Sequence, residues 1–122
     1  METTLLMVAA LIAFAGAIFH GLVGGKIYMS NIRESNLLPL TQSLSLVSWQ
    51  MFTIFLLVSG ATLLCVAMSP ELVLLSYPIL LGNVMGSVLF LWLGLTGHGA
   101  LIKLPGMYLM LATAVLGWSG LP

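Results

Sequence analysis

The sequence predicts an all-α integral membrane protein, a single transmembrane domain over residues 1–122 built as an antiparallel four-helix transmembrane bundle. Three observations lead there. The chain is 61% hydrophobic and only 5% charged, whereas a soluble domain carries roughly 25% charged residues to coat its surface. The apolar residues fall into four runs, each close to the ~20 helical residues that cross a hydrocarbon core of about 30 Å. No run alternates with period two, and the chain is too short for an eight-stranded barrel, so the spans must satisfy their backbone groups as helices.

The first span, about residues 4–24, carries two ridges of small residues. Ala9, Ala13, Ala17, Gly21 and Gly25 recur every fourth position, and Ala13, Gly16, His20 and Gly24 recur at spacings of three and four. Small residues at helical spacing let two backbones approach closely in lipid. The N-terminal Met-Glu-Thr-Thr lacks the basic stretch of a secretory signal, and the run exceeds a typical signal core, so this span is expected to be retained.

The first loop, about residues 25–43, holds Lys26, Asn31, Arg33, Glu34, Asn36 and Pro39. It is long enough for a short interfacial helix, with Leu37, Leu38 and Leu40 dipping into the headgroup boundary while Arg33 and Glu34 stay in water. The second span covers about residues 44–67. Met68-Ser69-Pro70-Glu71 then turns the chain into the third span, residues 72–95, as a tight antiparallel hairpin. Ser69 is placed to cap that helix, with Pro70 at its first position and Glu71 in its first turn, where the dipole favours an acid. Thr96-Gly97-His98-Gly99 ends the third span, and Pro105, just after Lys103, starts the fourth, residues 104–120.

The basic residues set the expected orientation. Lys26, Arg33 and Lys103 all lie on the first and third loops, while Glu2 and Glu71 lie at the opposite ends. The positive-inside rule then puts both termini outside the cytoplasm. Trp118 near the outer end and Trp49 and Trp92 near the inner ends suit interfacial belts. There is no basic patch for nucleic acid, and no run of four to eight basic residues of the kind that draws a chain to anionic lipid.

Polar residues within the spans are the candidates for function, because an unpartnered polar group is costly in lipid. His20 lies near the inner end of the first span, and Ser48, Trp49 and Gln50 lie near the inner end of the second. Tyr108, about one turn into the fourth, falls at the same depth. These residues predict an inner-third polar layer in which Gln50 or Tyr108 hydrogen-bonds the imidazole. Such a layer serves a proton- or solute-handling mouth, since a histidine titrates near neutral pH, or else it simply glues the first helix to its neighbour.

Deeper, near the midplane of the third span, Gly82-Asn83-Val84-Met85-Gly86-Ser87 pairs a Gly-xxx-Gly contact with Asn83 and Ser87 one turn apart. This reads as helix glue, as a pore lining, or as an amide that pairs with itself across a symmetric oligomer. The helix-packing set is Ala9, Ala13, Gly16, Ala17, Gly21, Gly82 and Gly86.

Catalysis is not expected. No span holds an acid or a base other than His20, no acidic residue stands ready to orient it, and no glycine-rich phosphate loop precedes a helix. His20 and His98 alone do not make a metal site. Cys65, the single cysteine, and the scattered methionines read as packing residues. No cofactor is expected, haem included, since His20 alone would offer one axial ligand per chain.

His20 followed by Gly24-Gly25, with Trp49 early in the second span, makes the chain similar to small bacterial four-span integral membrane proteins of uncharacterised function. That resemblance covers most of the chain and implies residence in the bacterial inner (plasma) membrane. Gln50 stands where such a protein can carry a histidine after the tryptophan, which removes one partner for a metal or proton role. In size and span count alone the chain also resembles the small multidrug resistance transporters, but its first span lacks the membrane-embedded glutamate they share. The expected function is the passage or exchange of a small solute or ion by an oligomer, with His20, Gln50 and Asn83 lining the route. The alternative is a non-catalytic accessory or scaffold subunit of a membrane complex. A homo-oligomer, or a place in a larger membrane assembly, follows from small ridges that exceed the needs of one hairpin.

Overall fold

A computed structural model describes residues 1–122 and is helical throughout, without strands. Its four helices are α1 (Glu2–Arg33), α2 (Pro39–Met68), α3 (Ser76–Leu95) and α4 (Pro105–Ser119). Three helical stretches, Glu2–Arg33, Pro39–Met68 and Pro70–Leu95, are long and apolar enough to cross a membrane. At 15 residues α4 is shorter, about 22 Å at the α-helical rise per residue.

The first connection is much shorter than the sequence suggested, and it holds no separate interfacial helix. Residues 25–33 continue α1, and residues 39–43 already belong to α2. Nothing between Gly25 and Arg33 breaks a helix, whereas Pro39 does so from both sides. It holds Leu38 in an extended conformation (φ −57°, ψ 145°) and itself takes the first helical position. The Gln42 amide closes the turn by donating to the carbonyls of Ser35 and Leu37, both at 3.1 Å.

Ser69 occupies the expected cap position, but its hydroxyl makes no capping bond. Instead its carbonyl accepts the Leu72 N–H at 2.9 Å. Residues Pro70–Leu75 form a 3-10 segment before the α-helical ladder begins at Ser76. Pro78 supplies the reason, because it has no N–H to return to the Leu74 carbonyl and so cannot extend an α-helix backward. At the other end of α3, Gly97 takes a left-handed φ of +118°, and the His98 N–H reaches back to the Leu93 carbonyl at 2.9 Å. This six-to-one bond is the Schellman ending, for which glycine is the least strained residue. A 3-10 turn, Gly99–Lys103, then leads to Pro105 at the first position of α4.

In packing, α1 lies against α2 and α4, while α3 lies against α4 and, less extensively, α2. One core cluster joins Leu6, Ala9 and Ala10 of α1 to Leu63, Val66 and Ala67 of α2 and Leu80 of α3. A smaller cluster joins Ala17, Leu56 and Met110, flanked by Phe52, Phe55 and Phe90. The small ridges work within the chain. Ala9, Ala13, Gly16 and Ala17 are all buried. A Cβ on Gly82 would sit 2.9 Å from the Phe55 ring, and one on Gly86 would sit 2.7 Å from the Met110 sulfur. The far end closes with Gly120 packed directly onto the backbone of Glu2 and Leu6. Most of the remaining surface is large apolar side chains, which suits a lipid solvent.

Candidate functional site

The site forms where α1 departs from α-helical geometry. Residues Phe19–Gly24 make a π-helical turn inside an otherwise α-helical rod, a feature that often marks functional positions. Two glycines allow the neighbouring helix to press into this turn. A Cβ on Gly21 would lie 2.9 Å from the Thr53 methyl, and one on Gly24 would lie 2.9 Å from the Trp49 ring.

His20 is held on several sides. Its Nδ1 is 2.9 Å from the Thr53 hydroxyl. Its ring lies nearly parallel to Trp49, with centroids 4.2 Å apart and planes 14° apart, and it meets Phe52 edge-on at 4.9 Å. The Trp49 indole N–H donates to the carbonyl oxygen of His20 at 3.0 Å, an oxygen that also accepts the Gly25 N–H. Tyr28 meets Trp49 at a tilt of 39°, with ring centroids 5.6 Å apart. With Nδ1 engaged by Thr53, Nε2 is the ring nitrogen left for an outside partner. The Thr53 hydroxyl pairs with either tautomer, so Nε2 accepts when Nδ1 carries the proton and donates when it does not.

Beside these rings is a cavity of about 170 Å³. Phe19, His20, Tyr28, Trp49, Phe52 and Phe90 contribute its aromatic wall, Gly16 and Leu56 lie deeper, and Leu104, Pro105 and Leu109 close it from the fourth helix and the turn before it. No charged side chain lines it. A cavity of this size and character accommodates a molecule of about benzene size, with His20, Tyr28, Trp49 and Thr113 as the side chains in its lining that carry polar atoms.

The expected polar layer is divided by the structure. Gln50 is not the partner of His20; it is exposed and lines a second cleft between α1 and α2, with Lys26 and Arg33. Tyr108 is not the partner either, because its hydroxyl donates to the Ile102 carbonyl at 2.8 Å and so fastens the 3-10 turn before α4. The partner is Thr53. Trp49, Phe52, Thr53 and Leu56 follow the i, i+3, i+4, i+7 pattern of one helix face, a signal present in the sequence.

Asn83 belongs to a third place. It is 0% exposed. Its amide donates to the Ser59 hydroxyl at 3.2 Å and to the Ile79 carbonyl at 2.9 Å, while its Oδ1 has no partner within the chain. The Ser87 hydroxyl lies 3.0 Å from the Asn83 carbonyl and 3.2 Å from the Met107 carbonyl of α4. Buried to this degree inside one chain, Asn83 cannot pair with its own copy across an oligomer. His98 is exposed in its turn, and no three His, Cys, Asp or Glu side chains gather within reach of one metal ion. Comparison with protein-family models, with curated proteins and with solved structures finds no match for this chain.

Proposed function

We propose that the protein is a four-span membrane protein, its helices running alternately up and down, that admits a small neutral amphipathic solute to the cavity beside His20 and passes or exchanges it. The observation that carries this reading is the cavity itself: aromatic walls, no charge, and an imidazole whose Nδ1 is already committed to Thr53. An uncharged lining favours a neutral solute over an ion. The separation of His20, Gln50 and Asn83 into three places argues for an enclosed binding site rather than one continuous polar pore. In this reading the protein resides in the bacterial inner membrane with both termini outside the cytoplasm, as Lys26 and Arg33 near the end of α1 and Lys103 in the turn before α4 favour. It functions as an oligomer or within a larger membrane assembly. Since the small ridges are occupied within the chain, a second copy would use a different face.

Two measurements test the proposal. In a Trp92→Phe, Trp118→Phe background, titrated benzyl alcohol should shift Trp49 emission saturably. Stopped-flow light scattering should show faster propionamide entry into proteoliposomes than into protein-free vesicles. His20→Ala and the cavity-filling Gly16→Leu should remove both effects with the helical content unchanged. Absence of both in the unmodified protein would overturn the proposal.

The hydrogen bonds from Asn83 to Ser59 and from Ser87 to the Met107 carbonyl join helices to one another and favour a second reading, an accessory or scaffold subunit. Its signature is no flux at all, with His20→Ala loosening assembly instead.

A further inference from the structure

The second cleft lies between the ends of α1 and α2 that meet at the first turn, and it encloses about 420 Å³. It differs from the His20 cavity in carrying cations and side-chain amides and no aromatic ring. Lys26 and Arg33, two of the three basic residues in the chain, line it together with Gln42 and Gln50. Seven residues separate the two cations, about two helical turns, so both project from one face of α1 roughly 10 Å apart. The side-chain hydrogen bonds of this end are made by Ser30, Asn31, Ser35 and Gln42 to backbone carbonyls. They engage neither cation, and the Gln50 amide bonds to nothing in the chain. Leu22 and Leu46 are among its apolar lining residues and are 65% and 48% exposed.

From these features we infer that the cleft binds the phosphate headgroup of an anionic phospholipid. The groups are ordered as such a lipid is ordered. Arg33 and Gln42 lie nearest the turn, Lys26 lies one step further in, and Gln50 is deeper, near the level of Gly21 and Gly25. A phosphodiester between the cations has charge-assisted donors. The deeper Gln50 amide meets the ester carbonyls, and the two leucines meet the acyl chains. A free phosphate ion would use the cations and leave the amide and the leucines without a role. No long basic run is needed for this, because basic side chains gathered in a pocket between membrane helices serve headgroup binding equally well.

Native mass spectrometry of the intact protein in detergent, with equimolar dioleoyl phosphatidylglycerol and dioleoyl phosphatidylcholine, tests the assignment. Two basic contacts at the membrane surface predict roughly 30-fold preferential retention of phosphatidylglycerol, about 2 kcal/mol. The double variant Lys26→Gln, Arg33→Gln should fall to near parity, while Lys103→Gln, outside the cleft, should keep the preference. Should the double variant fail to fold, each single variant should lose about fivefold. Equal retention of the two lipids by the unmodified protein, or an undiminished preference in the variants, would overturn the inference. So would displacement of phosphatidylglycerol by inorganic phosphate, which would make the site one for the free ion.

Discussion

Trp49 touches His20 twice, through its ring face against the imidazole at 4.2 Å and through its indole N–H on the His20 carbonyl at 3.0 Å. The second contact falls inside the π-helical turn. One side chain of α2 therefore both orients the imidazole and satisfies backbone where α1 is irregular.

The two contacts separate by substitution. Trp49→Phe keeps a stacking ring and loses the donor, at a cost of about 0.5–1.5 kcal/mol. Trp49→Ala loses both and leaves a hole, at a cost of about 3–5 kcal/mol. Unfolding by sodium dodecyl sulfate in mixed micelles measures both, and equal losses in the two variants would contradict this division.

Thr53→Val is nearly isosteric and removes the hydroxyl at Nδ1. Side-chain hydrogen bonds within membrane proteins contribute on average about 0.6 kcal/mol, so the fold should survive with a loss of that order. The ring should lose the bond that anchors Nδ1. The imidazole Nδ1 NMR shift should then move on substitution, and the Nε2 shift should move less. An unchanged Nδ1 shift would remove Thr53 from its anchoring role.

Gly24 and Gly25 are adjacent, yet they should respond differently. A Cβ on Gly24 would meet the Trp49 ring at 2.9 Å, whereas one on Gly25 would have its nearest neighbour at 3.8 Å. Gly24→Ala should cost about 1–3 kcal/mol by overpacking. Gly25→Ala should be neutral or slightly stabilising, since alanine favours the helix. Thermal unfolding followed by circular dichroism ranks the two, and the opposite ranking would contradict the close approach at Gly24.

The buried contact between Asn83 and Ser59 calls for a double-mutant cycle. Ser59→Ala should cost less than Asn83→Ala, because the asparagine amide also holds the Ile79 carbonyl at 2.9 Å. The coupling between the two sites should be about 0.6 kcal/mol and should not exceed roughly 1.7 kcal/mol. A coupling of zero would mean that the 3.2 Å contact contributes nothing to stability.

The proposed orientation is open to a labelling experiment. In a Cys65→Ala background, Ser69→Cys should react with a membrane-impermeant maleimide in intact cells, while Ser35→Cys should react only after lysis. The reverse pattern would invert the topology.

His20 was legible in the sequence as a polar residue at a small-residue helix contact, and Trp49 as its neighbour in depth. The position of Gln50 is not legible there, for a specific reason. Depth along a span follows from counting residues, but azimuth does not, and the residue after Trp49 points about 100° away around the helix. The face holding Trp49, Phe52, Thr53 and Leu56 becomes a face toward α1 only once the helices are packed. Lys26 and Arg33 look like loop charges in the sequence, because nothing local shows that α1 runs on as far as Arg33.

The sequence by itself determined the solvent and the class of element. Six charges cannot coat 122 residues in water, and backbone in lipid must pair within its own helix. It also determined the breaks at Gly97 and Pro105, since these follow from the covalent geometry of single residues. Only the tertiary structure decided which face of each helix met which neighbour. It occupied the small ridges within the chain, gave His20 to Thr53, buried Asn83 beside Ser59, and separated an uncharged aromatic cavity from a basic cleft. The physical reason is that all the spans are apolar on nearly every side. Hydrophobicity therefore does not select a buried face, and the choice falls to close packing and to a few hydrogen bonds between residues distant in the chain.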